Sequence, residues 1–129
     1  LAAGGSAVAQ QQLPQPGFVS YEEWRENASE TAFSEWVDGE VVTPMPPAVL
    51  HQIVVTLLVR LFGNFAEERN LGRVIVSPIE LRLARSAREP DLVYLANANL
   101  DRLGLLRIEG YADLVVEVIS PDSVRRDRV

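Results

Sequence analysis

The sequence predicts an α/β domain in which a mixed β-sheet is flanked by helices. Three observations carry that prediction. Residues 112–121, ADLVVEVISP, form an apolar run suited to a strand covered on both faces. Residues 47–70 hold one long helical pattern, and residues 79–83, IELRL, alternate as a half-buried strand does. At 129 residues the chain is long enough for one domain with a substantial core and short for two.

The elements follow in order. The tail, residues 1–17, opens on an Ala, Gly and Gln tract without period and is expected to be disordered or leftover sequence, leaving 18–129 as the domain. Residues 21–27 read as a short helix capped by Ser20, with Glu22 and Glu23 in its first turn. Residues 33–45 read as a hairpin whose Asp38 and Gly39 give a type I′ turn signal between Trp36, Val37 and Val41, Val42. Within 47–70, Ile53, Leu57, Leu61 and Phe65 recur at every fourth position, with Val54, Leu58 and Phe62 beside them. That broad stripe is expected to be core, its surplus width hinting at a dimer contact. Gly72 is the expected C-cap.

Strands are expected at 73–77, 79–83, 91–95 and 112–119, with Pro78 marking a bend and 97–106 a loop or short helix. Ser120 and Pro121 suit the cap and first residue of another helix, so the domain is expected to be C-terminally incomplete, cut before its last helix and strand or strands.

Composition narrows the chemistry. The chain has no cysteine, which excludes disulfides, thiolate nucleophiles and zinc-thiolate sites. All 12 basic residues are Arg, so no lysine is present for general-base or Schiff-base work, and His51 is the only imidazole. A net charge of −6 disfavours a loosely electrostatic nucleic-acid binder. No uninterrupted apolar run reaches the ~18 residues of a membrane span, so no membrane partner is expected, and the location is cytoplasmic by default.

One charge stands out against its setting. Glu117 interrupts the apolar run 112–121, and burying a lone carboxylate costs several kcal/mol, roughly, unless a cation or donors compensate. Either it shares a metal ion with a second acid where the strand opens to solvent, or it is an edge-strand carboxylate reaching water or an Arg. The candidate second acid is Asp91, in the short apolar run EPDLVYL. Two carboxylates holding Mg²⁺ can make a water nucleophilic and neutralise a phosphodiester's transition state.

The blocks EWVDGEVV, PPAVLHQ, GRVIVSPIELRL, EPDLVYL, DRLG and ADLVVEVISPDS with RRDR, in this order, resemble the Uma-type putative restriction endonuclease family of the PD-(D/E)XK nuclease superfamily. The resemblance spans about residue 18 to the end and implies a restriction-endonuclease-like core with a metal-dependent phosphodiesterase site. It assigns the PD motif to Pro90 and Asp91 and the second acid to Glu117. The superfamily pattern has Lys or Gln two residues after that Glu, where this chain has Ile119. Members of the family are thought to recover the lysine from the helix that follows.

The resemblance also implies Mg²⁺, with Mn²⁺ as a substitute, and DNA as partner; a homodimer would suit cutting of both strands. Supporting candidates each carry an alternative. Glu80 is a third metal ligand or a charge on a solvated strand face. Glu35 or Glu40 is an added acid of the site, or both are exposed hairpin charges. His51 contacts water or phosphate, or is structural. Arg125 and Arg126, with Arg128, touch the DNA backbone or line a solvated helix face.

Overall fold

Ser20 opens the first helix with a complete capping box. The structure, a computed structural model, describes residues 17–28, 34–43 and 47–119. In α1 (Tyr21–Asn27) the Ser20 hydroxyl accepts the Glu23 N–H, and the Glu23 carboxylate accepts the Ser20 N–H at 3.0 Å. The hairpin is as expected: β1 (Glu35–Val37) and β2 (Glu40–Val42) pair antiparallel, with Asp38 at φ 49° and Gly39 at φ 90°. Two positive φ values in succession are what a type I′ turn demands.

Helix α2 (Val49–Glu68) confirms the long helical pattern but not its cap. Asn70 takes the left-handed conformation at φ 49°, the Asn70 N–H donates to Glu67 O, and the Leu71 N–H donates to Ala66 O. This is a Schellman motif with Asn in the usual Gly position. Gly72 serves another purpose, since a Cβ there would lie 2.0 Å from Leu95 O across the adjoining strand.

The stripe expected as core is exposed. Leu50, Ile53, Leu57, Leu61 and Phe65 are each more than half exposed, and only Val55 and Ala66 of this helix are buried. By length and mean hydropathy α2 would pass as a membrane span, although Gln52, Arg60 and Asn64 interrupt its apolar sequence.

Six strands follow: β3 (Gly72–Val76), β4 (Glu80–Arg82), β5 (Ser86–Arg88), β6 (Leu92–Ala96), β7 (Arg107–Glu109) and β8 (Leu114–Val116). A 3₁₀ helix (Asn97–Arg102) connects β6 to β7, and a cis Ser77–Pro78 bond lies between β3 and β4. The fold is mixed α/β as expected, but the strands form two sheets. One is five-stranded in the order β2-β1-β5-β4-β7, antiparallel except for the parallel pair β4 and β7. The other is the antiparallel trio β3-β6-β8.

Two clusters fill the interior. Trp24, Trp36 and Ala87 join α1 to the first sheet, with the Trp24 indole donating to Ser34 Oγ and the Trp36 indole to Val19 O. Leu81, Val93, Leu95 and Ile108 form the second cluster and join the two sheets. β6 runs through its centre, with Leu92, Val93 and Leu95 essentially sealed from water. β8 is not covered on both faces as expected, because Leu114 and Val115 are about two-fifths exposed, at 38% and 43%.

Candidate functional site

Strand pairing brings the two predicted acids together. β6 and β8 run antiparallel with Leu92 opposite Val116, so Asp91 and Glu117 sit side by side where that ladder ends. Their carboxyl groups are near enough for the Asp91 charge to act on Glu117. Desolvation first, then the Asp91 charge and the more distant Glu35, pushes the Glu117 carboxyl from 4.5 up to about 7, although a backbone hydrogen bond from Asp91 pulls the other way. Glu117 remains open to solvent on one side.

Asp91 is held from two directions. Its Oδ2 accepts the Val118 N–H at 2.8 Å, which ties the second acid's strand to the first. The same oxygen lies 3.1 Å from His51 Nε2, while His51 Nδ1 faces Gln52 Oε1 at 3.1 Å. α2 therefore delivers His51 to the pair from its first turn, and the ring contacts a carboxylate of the site.

The other candidates divide. Glu35 is close enough for its charge to act on Glu117, yet its Oε1 accepts the Glu89 N–H at 2.9 Å and its Oε2 lies 3.5 Å from Arg88 Nε. Glu40 is exposed on the hairpin and is not among the groups acting on Glu117. Arg125 and Arg126 lie outside the described residues, as do Ser120 and Pro121.

Glu80 is neither on a solvated face nor beside the pair. Only 5% exposed, it accepts the Tyr21 hydroxyl proton at Oε1, 2.6 Å away, while Arg25 Nη1 stands 3.0 Å from Oε2 without a directed hydrogen bond. Arg107 donates to the same Tyr21 hydroxyl at 2.9 Å, and Arg82 stacks on the Tyr21 ring at 3.8 Å. Burial, then the bond to Glu80, pushes the Tyr21 phenol up to about 12. This network could not be read from spacing, since Tyr21 and Glu80 are 59 residues apart. Arg82, the natural structural partner for Glu117, instead donates to Leu83 O and Ser86 O.

Among the described residues no group of three His, Cys, Asp or Glu side chains converges as a metal cage. Two carboxylates do fit Mg²⁺, which keeps several waters and commonly takes one or two carboxylates plus substrate phosphate oxygens. The donor set of Asp91 and Glu117, all oxygen and short of positive charge, suits such a hard cation.

The model of the family Uma2, described as "Putative restriction endonuclease", matches residues 18–129, and the chain belongs to that family. Its fold is similar to a crystal structure described as a putative nuclease belonging to DUF820 from Anabaena variabilis, with a TM-score of 0.66 at 15% identity. The similarity covers 84% of this chain and 65% of that one. No curated protein matches the chain.

Proposed function

We propose that this domain belongs to a metal-dependent DNA endonuclease of the PD-(D/E)XK kind, with Asp91 and Glu117 as the metal-binding acids. The observation that carries the proposal is the acid pair itself, two carboxylates set side by side by the β6–β8 register, with Glu117 pushed up to about 7. Family membership supports nuclease chemistry. Mg²⁺ bound there would supply a Lewis acid for the phosphate and a lowered pKa for its water.

The chain's own residues have separable roles. Asp91, fixed by the Val118 N–H and His51, presents its second oxygen at the end of β6. Glu117 must lose its proton to become a ligand, so metal binding should release a proton below about pH 7. His51, bound to Asp91, limits that carboxylate's rotation and brings a ring nitrogen to the site's edge.

A second reading, a non-catalytic module that binds DNA or protein, is favoured by Ile119. That side chain stands where the superfamily has Lys or Gln and cannot orient a water. The test is Mg²⁺ or Mn²⁺ titration of the extended protein, as parent, Asp91→Ala and Glu117→Ala, read by plasmid cleavage and by melting followed with circular dichroism. Metal-dependent cutting and a raised Tm in the parent alone support the enzyme. Metal binding without cutting selects the module, and no metal effect on any of the three rejects the site.

A further inference from the structure

The link that ends in Asp91 has few ways to be held. After β5 ends at Arg88, the chain passes through Glu89 and Pro90 to reach Asp91 and the start of β6, crossing from the five-stranded sheet to the three-stranded one. Pro90 is fully buried and has no N–H to donate. At its far end the link is held by Asp91 O, which accepts the Ser77 N–H at 3.1 Å; ahead of Asp91, the Glu89 N–H is the amide left to fix it.

Glu35 takes that amide. It begins β1, next to β5, where the register Trp36 opposite Ala87 puts Glu35 across from Arg88. From there Oε1 accepts the Glu89 N–H at 2.9 Å, while Oε2 faces Arg88 Nε at 3.5 Å. The side chain is only 17% exposed, so its hydrogen bond is largely shielded from competing water. One oxygen thus holds the link's amide and the other faces the last residue of β5.

We infer that Glu35 is a positioning residue, a clamp of the first sheet on the Glu89–Asp91 link that sets where the Asp91 carboxylate stands, and that it is not a metal ligand. The inference rests on the reading of Asp91 and Glu117 as a metal pair. What the clamp needs from residue 35 is an acceptor of the right reach and not a negative charge. The charge itself works against Glu117, whose carboxyl it helps push up.

Two conservative variants separate reach from charge. Glu35→Gln keeps an oxygen at the same distance and loses the charge; Glu35→Asp keeps the charge on a side chain one methylene shorter. Mn²⁺ affinity of the whole chain, measured by isothermal titration and by the paramagnetic resonance of free Mn²⁺, is compared across the parent, both variants and Asp91→Ala. The clamp predicts Glu35→Gln within about threefold of the parent and Glu35→Asp weakened by about tenfold, as for other groups that orient a ligand. The reverse order, Gln weak and Asp near the parent, makes Glu35 a ligand and overturns the inference. Equal affinity in all three forms at residue 35 overturns it too, with the metal pair intact if Asp91→Ala still abolishes binding. Should Asp91→Ala bind as the parent does, the metal reading itself fails and the clamp falls with it.

Discussion

Glu80 and Glu117 both interrupt apolar strand sequence, and the fold treats them in opposite ways. Glu80 is sealed in the first sheet against a phenol and a guanidinium, with Arg107 bracing the phenol from behind. Glu117 ends the second sheet against another carboxylate, and its nearest imidazole is bound to Asp91 instead. A carboxylate faced by a guanidinium holds no surplus negative charge for a cation to relieve. An acid set against an acid stores repulsion that a cation would relieve. Burial alone therefore does not distinguish the two carboxylates; the sign of their neighbours does.

That contrast can be broken at its strong side first. Glu80→Ala should destabilise the fold by about 2 kcal/mol, below the usual cost of breaking a buried pair because Arg25 is partly exposed and can rehydrate. Urea unfolding at pH 7 measures it. A cost near zero would mean that Tyr21 and Arg25 do not hold Glu80.

The acid pair predicts a pH dependence of the opposite character. Free Glu117 ionises near 4.5, whereas in the fold it keeps its proton up to about 7, so the native state binds more protons in that window. Stability should then fall as pH rises from 4.5 to 7, by about 1 kcal/mol after allowing for solvent screening at this open site. Glu117→Gln should flatten the fall, and saturating Mg²⁺ should reverse it, since a cation held by the pair would favour its ionised form. Unfolding curves at pH 5 and pH 8 test the sign; a parent more stable at pH 8 without metal would refute it.

The smallest effect sharpens the comparison. Arg107→Gln leaves a side chain too short to reach the Tyr21 hydroxyl and loses a charged donor at a partly exposed position, so it should cost about 0.5 kcal/mol. The same urea assay would detect a cost of 2 kcal/mol or more, which would mean that Glu80 depends on Arg107 as much as on Arg25.

Legibility follows the range of the interactions involved. Asp91 and Glu117 were readable because a charge inside an apolar strand is a local anomaly, and so were the Ser20 cap and the Asp38–Gly39 turn, whose signals span four residues or fewer. β5 and β7 were missed. Their sequences, SAR and RIE, are three residues each, too short for alternation to signal a strand, and they become strands through pairing with β1 and β4. Glu80's burial depends on a helix far away in sequence, and the split into two sheets depends on which strands meet rather than on any strand's composition. The exposed row on α2 illustrates the same limit, since periodicity fixes that a face is apolar without fixing what covers it.

Both tryptophans of the chain, Trp24 and Trp36, belong to the cluster beneath α1, and neither lies in the trio that carries Asp91 and Glu117. Intrinsic fluorescence is thus a regional signal. Excited near 295 nm, the domain will report the loosening of its first sheet and stay silent about its second, whose Tyr94 does not absorb usefully there. Emission and far-ultraviolet ellipticity should coincide on melting only if the two sheets unfold as one cooperative unit. If Mg²⁺ moves the ellipticity transition and leaves the emission transition in place, the sheets are separate folding units joined by the short link through Pro90.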